Sequence, residues 1–126
     1  MINNTICPIG ATLDIFNRKW IFCILSCMFR GMKHFSEFKN ANPTISNHIL
    51  AETLKYMEEI NLIEKIIIEK EPKIKTEYSL TDKGLKTNKL LYEFVLYYFD
   101  EINHVGFDEL QKEEILNEYK KAFNLI

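Results

Sequence analysis

The chain has 126 residues, 47% of them apolar and 27% charged, with a formal net charge of −2. This balance fits one domain with a hydrophobic core and excludes a disordered chain. The longest apolar run, Ile21 to Phe29, is broken by Ser26 and falls well short of the roughly 20 residues a membrane span needs.

Met1 to Thr5 is polar and lacks the basic start and apolar run of a signal peptide, so a cytoplasmic protein is expected. Cys7-Pro8 opens the first element. Proline suits the first helical position, which makes Cys7 the N-cap of a short helix to about Phe16, with Ile9, Leu13 and Phe16 on one side. Asn17-Arg18-Lys19 interrupts the pattern, and Trp20 begins a second helix reaching about Arg30. Its apolar positions cover more than half the circumference, which predicts a buried central helix ended by Gly31. Cys23 and Cys27 lie four apart within it and read as small core residues of a reducing compartment. Neither they nor His34, His48 and His104 show metal-ligand spacing, and no Gly-rich phosphate loop is present, so neither a metal nor a cofactor is expected.

Lys33-His34-Phe35 reads as a short strand before a helix from Phe35 to Ala41, with Phe35 and Phe38 inward. Asn42-Pro43-Thr44 turns the chain, and Ser46 caps a helix that ends at Asn61. Ile49, Leu50, Leu54, Met57 and Ile60 form its apolar stripe; Asn47, His48, Ala51, Glu52 and Lys55 fall on the other side. Taken alone, that helix reads first as an ordinary amphipathic surface helix. Its flanks change the reading, since two short helices joined by such a turn form a helix-turn-helix candidate.

Ile63 to Glu69 is β-branched and predicts a strand, Lys70 to Lys75 a charged hairpin tip, and Thr76 to Leu80 the returning strand. A hairpin directly after a helix-turn-helix is the order of a winged helix, with Lys73 and Lys75 placed to reach a phosphate backbone; taken singly, a two-lysine hairpin is more often a solvated loop. Thr81 then caps a long helix to Ile102, which is almost wholly apolar after Leu90. A final helix, Phe107 to Phe123, presents Ile115, Tyr119, Ala122 and Phe123 on one face. Either a second chain covers the long helix or this last helix folds back over it, and both readings stand. Charge is uneven: residues 1–80 hold ten Lys and Arg against nine Asp and Glu, residues 81–126 six against nine.

Several of these blocks together resemble the HxlR-type family of bacterial winged-helix transcriptional regulators, relatives of MarR-like dimers. The similarity spans about residues 7–100: CPIGATLDIFNRKW at 7–20, Gly31 with Phe35-Ser36-Glu37-Phe38, Ile45-Ser46, Glu58-Glu59 through Leu62-Ile63, and Glu77-Tyr78-Ser79-Leu80-Thr81 with Gly84. The resemblance implies a mainly α (α+β) winged helix-turn-helix with a β-hairpin wing and flanking dimerisation helices. It also implies a non-enzymatic DNA-binding regulator that sits as a homodimer on an inverted repeat. Candidate DNA contacts are Ser36, Ser46, Asn47, His48, Lys55, Lys73 and Lys75, with Ser46, Asn47 and His48 nearest the bases. Ile9, Leu13, Leu91, Phe94, Tyr98 and Phe99 are the candidate dimer contacts. Cys7 is a candidate redox or electrophile sensor, because a helix start stabilises negative charge on sulfur; the plainer reading is a small N-cap packed against the partner. A protein-interaction module without specific DNA binding is the alternative function.

The sequence also departs from the family. His34, His48 and Thr53 stand where members usually carry Arg or Lys, and Asn61 replaces a usual Gly. The wing lacks adjacent prolines before Lys75, and residues 103–126 extend past the part that matches, as a C-terminal helical extension.

Overall fold

A computed structural model describes residues 6–103 and 106–126. The opening segment Met1 to Thr5 and His104 lie outside the described residues. Helix α1 spans Pro8–Ile15, α2 Trp20–Phe29, α3 Phe35–Ala41 and α4 Asn47–Glu59. Strands β1, Ile63–Glu69, and β2, Lys75–Leu80, form an antiparallel hairpin, followed by helices α5, Asp82–Leu85, α6, Asn88–Tyr97, and α7, Glu109–Ala122.

Helix α2 is the centre of the fold because it is apolar nearly all round. Ile21, Ile24 and Leu25 are wholly buried, and Phe38 of α3, Leu50, Leu54 and Met57 of α4, and Leu62 close around them. Chain reversal after α2 and α4 uses one device. Gly31 and Asn61 both take positive φ, while Met32 N–H donates to Cys27 O at 3.1 Å and Leu62 N–H to Met57 O at 2.9 Å. These are the bonds that satisfy the last free carbonyls of a helix. Asparagine tolerates the left-handed conformation through its short polar side chain, which is why Asn61 can stand in for glycine.

The hairpin pairs Ile63 with Leu80, Lys65 with Tyr78 and Ile67 with Thr76, and a register shift follows between Ile67 and Glu69. The short strand expected at Lys33-His34-Phe35 does not form. A single bond from Tyr78 N–H to Lys33 O, 2.8 Å, brings that segment beside β2, and the start of α3 claims the remaining donors. Lys75 lies in β2 rather than in the tip.

The single long helix expected from Thr81 to Ile102 is three pieces. Thr81 caps α5 as expected, its hydroxyl accepting from Gly84 N–H at 3.1 Å. The break at Lys86-Thr87 has a packing cause: Thr87 is buried and its hydroxyl donates to Gly84 O at 2.7 Å. Gly84 itself abuts the end of α4, where an added Cβ would meet Leu62 O at 2.1 Å. Beyond α6 the helix widens into a π turn, Tyr98–Ile102.

The last helix folds back within the chain. Phe123 is buried edge-on against Phe29, ring centroids 5.5 Å apart, and Asn88 Nδ2 donates to Phe123 O at 2.9 Å. Lys112 Nζ reaches Asp100 Oδ1 at 2.8 Å, and that bond raises the lysine pKa above its ordinary value. Helix α7 begins at Glu109, capped by Asp108, two residues later than the expected Phe107.

Candidate nucleic-acid interface

Helix α4 is oriented by its own two faces. Leu50, Thr53, Leu54 and Met57 are buried, whereas Ser46, Asn47, His48, Ala51, Glu52 and Lys55 are exposed. Two assignments change. Ile49, expected in the apolar stripe, is exposed, and Thr53 takes its place inside because its hydroxyl donates to Ile49 O at 2.7 Å and needs no water. The N-terminus is capped as expected, Ser46 Oγ accepting from Ile49 N–H at 3.1 Å.

The turn before α4 is pinned by a residue the sequence reading passed over. Lys39 Nζ donates to Pro43 O at 3.2 Å and also to Ile45 O, so its charge sits at the turn. A lysine four residues before a proline turn at the end of an amphipathic helix was the available signal. Ser36 lies on the exposed side of α3. At the start of α3, Glu37 Oε1 accepts from Lys33 N–H at 3.1 Å and His34 N–H at 3.0 Å. The bond from Lys33, and then that from His34 with the nearby charges, holds the Glu37 carboxyl below the usual carboxylate range.

Charge on this face is mixed. His48 Nε2 lies 3.3 Å from Glu52 Oε1, Lys33 Nζ 3.4 Å from Glu77 Oε1, and Lys75 Nζ 3.8 Å from Glu69 Oε2. Among the described residues, Lys55, Lys70 and Lys73 are exposed and carry no ion pair. His34 Nδ1 lies 3.2 Å from Thr76 O, which ties the start of α3 to the wing.

A second face is apolar. Ile9 and Leu13 of α1 are 73% and 57% exposed, and Phe94 of α6 is 55% exposed, with Tyr97, Tyr98 and Ile102 beside it in sequence also exposed. Leu91 and Phe99, expected among the dimer contacts, are already buried inside the chain, Leu91 in the main core and Phe99 edge-on to Tyr98 and Phe107. Helix α1 is locked to α4: Tyr56 O–H donates to Ile15 O at 2.8 Å, and the Arg18 guanidinium sits 4.3 Å over the Tyr56 ring. Cys7 is exposed at the α1 N-cap, its sulfur accepting from Gly10 N–H at 3.4 Å.

The two cysteines of α2 differ. Cys27 is buried as expected, but Cys23 is exposed, because it faces the gap between α2 and α6 rather than α4. Enough protein surrounds it that desolvation, then the neighbouring Cys27, pushes its thiol pKa up against the opposing pull of Lys19.

A helix-turn-helix whose second helix presents a polar face, followed at once by an antiparallel hairpin, is the architecture of winged-helix transcriptional regulators. Residues 15–104 match the model of the HxlR-like helix-turn-helix family, and the chain belongs to that family. It is 33% identical over 94 residues to the HTH-type transcriptional regulator YvaP of Bacillus subtilis, covering 74% of this chain and 86% of YvaP. To YodB of the same organism it is 30% identical over 93 residues, 73% of this chain and 82% of YodB. The reduced YodB structure superposes with a TM-score of 0.67 at 25% identity, over 80% of this chain and 99% of YodB. The redox regulator HypR in its reduced form gives 0.71 at 25% identity, over 79% and 97%. YodB has also been solved diamide-treated and quinone-bound, and HypR oxidized.

Proposed function

We propose that this transcriptional regulator binds duplex DNA as a homodimer on an inverted repeat, with α4 in the major groove. The observation that carries the reading is the outward face of α4: Ser46, Asn47, His48, Ala51, Glu52 and Lys55 are all exposed while the opposite face is buried. Ser46, Asn47 and His48 lie at the helix N-terminus, the part of a recognition helix that meets base edges. Lys55, Lys73 and Lys75 supply phosphate contacts, and Ser36 of α3 a further one. The apolar surface of Ile9, Leu13, Phe94 and Tyr98 meets its symmetry mate. A gel shift with DNA from upstream of the gene tests this. Retention should fall with salt, with a log–log slope of about −0.9 per neutralised phosphate. Lys73→Ala should weaken binding to operator and random DNA alike, whereas Asn47→Ala should narrow the difference between them. No retention of promoter DNA at low salt would favour a protein-interaction module instead.

Within that function Cys7 is the candidate sensor. Its thiol is exposed at a helix start, and α1 is tied to α4 through Tyr56 and Arg18, so a modification that moves α1 pulls on the recognition helix. The redox states in which YodB and HypR have been solved support the reading. Diamide or a quinone should release wild-type protein from DNA and leave Cys7→Ser bound. Equal release of both would remove Cys7 from the mechanism.

A further inference from the structure

The far half of the wing is apolar where a solvated hairpin would be polar. Ile74 is 67% exposed, and Ile66, Ile67 and Ile68 of β1 are 45%, 54% and 48% exposed. Ile63, at the base of the same hairpin, is buried, so the exposed isoleucines lie away from the core. A wing that only touched phosphates would use its lysines and give these side chains no partner. Between the strands, Lys70 to Ile74 is wholly exposed and holds one acid, Glu71. Among the described residues Lys70 and Lys73 carry no ion pair. Pro72 and Ile74 stand on either side of Lys73.

The wing does not point at random. Tyr78 N–H donates to Lys33 O at 2.8 Å and His34 Nδ1 lies 3.2 Å from Thr76 O, so β2 is tied to the start of α3 and the tip moves with the helix-turn-helix. With α4 in the major groove, which rests on the function proposed above, a narrow two-stranded tip is left the adjoining minor groove, about 6 Å wide. Proteins that bend DNA from that groove push an aliphatic side chain between base pairs and unstack them. We propose that Ile74 is such a wedge: it enters the minor groove beside the bases read by α4, unstacks one base step and bends the duplex, with Lys70 and Lys73 on flanking phosphates. The two unpaired lysines beside it select a polyanion, rather than a second apolar protein surface, as the occupant of this tip. Unstacking costs least at pyrimidine–purine steps such as TA. The wing therefore adds a preference for a deformable step that no hydrogen bond to a base edge supplies.

Two synthetic duplexes of equal base composition test this without knowledge of the operator. Alternating poly(dA-dT) is rich in TA steps, whereas poly(dA)·poly(dT) has none and is stiff, with a narrow minor groove that attracts cations. A wedge prefers the first and a purely cationic wing the second. Full-length protein should bind the alternating duplex at least about fivefold more tightly, the scale of one unfavourable base pair in a site. Circular-permutation gels with the promoter fragment should report a bend of about 20° or more. Ile74→Ser should lose both the preference and the bend, and Ile74→Leu should keep them. Lys73→Ala should weaken binding to both duplexes alike and leave the bend of the complexes that form. Ile74 is exposed, so its variants are expected to fold, and circular dichroism checks this. Equal binding of the two duplexes, preference for poly(dA)·poly(dT), or an undiminished bend with Ile74→Ser overturns the proposal while leaving DNA binding in place. Loss of self-association by Ile74→Ser in the absence of DNA overturns it too, and gives the tip to a second copy of the chain. Failure to retain any of these DNAs at low salt removes the DNA-binding reading and the wedge with it.

Discussion

At the scale of single residues, Glu37 shows a local contact with a measurable consequence. Its carboxylate accepts from two backbone donors and its pKa is depressed in the folded protein. A depressed folded pKa gives stability that is complete above the unfolded value, about 4.3 for glutamate, and is lost as pH falls through the folded one. Thermal melts of wild type should therefore lose stability on acidification below about pH 4.3, and Glu37→Gln should lose less over that interval. Parallel acid limbs for the two proteins would show that the bonds from Lys33 and His34 do not favour the charged form. Contacts as local as this one can be read from sequence: the Ser46 and Thr81 caps, the positive-φ Asn61 and the exposed Asn47 and His48 were legible, because a cap or a helix face is decided within four residues. Cys23, Ile49 and Thr53 were not, since a one-position rotation of a helix face decides which of them meets the core.

Among the elements, those with a strong period and a clear stop were read within a residue or two, including α2, α3, α4 and both strands. The winged-helix order followed from them. The long helix after the wing was misread because its residues are good helix formers throughout, and nothing in their pattern records a neighbour. The break is imposed from outside, where α5 packs on the end of α4. Gly84 permits that approach: a Cβ there would meet Leu62 O at 2.1 Å and Leu80 Cδ2 at 3.2 Å. Gly84→Ala should therefore destabilise the protein by about 1–3 kcal/mol, the cost of forcing an extra methyl into a packed site. That cost opposes the gain of about 1 kcal/mol alanine gives in an unpacked helix. Urea unfolding distinguishes the two, and a rise in midpoint would mean that α5 does not sit tightly on α4. The missing strand at Lys33 follows the same rule, since whether one backbone bond grows into a ladder depends on where β2 ends.

For the whole molecule, the question left open by the sequence was what covers the apolar helix after Leu90. The fold divides the answer. Leu91 and Phe99 are covered from within, and α7 adds Tyr119 and Phe123 beside them. Leu90, Phe94, Tyr97, Tyr98 and Ile102 remain exposed, as do Ile9 and Leu13 of α1. Monomeric proteins seldom leave large apolar patches in water, and a two-fold dimer would bury these positions in one self-complementary surface. Light scattering at micromolar concentration should report a dimer. In such a dimer Phe94→Glu would place two charges at the symmetric contact, one from each chain, without touching the wholly buried core around Ile24 and Leu50. It should give a folded monomer, judged by circular dichroism, that binds an inverted repeat no better than a single half-site. The pairing with DNA makes the test sharp, because half-sites one helical turn apart, about 34–36 Å, can be read together only when two recognition helices are held in register. A wild-type protein that scatters as a monomer, or a Phe94→Glu variant that remains dimeric, would assign this surface to some other partner.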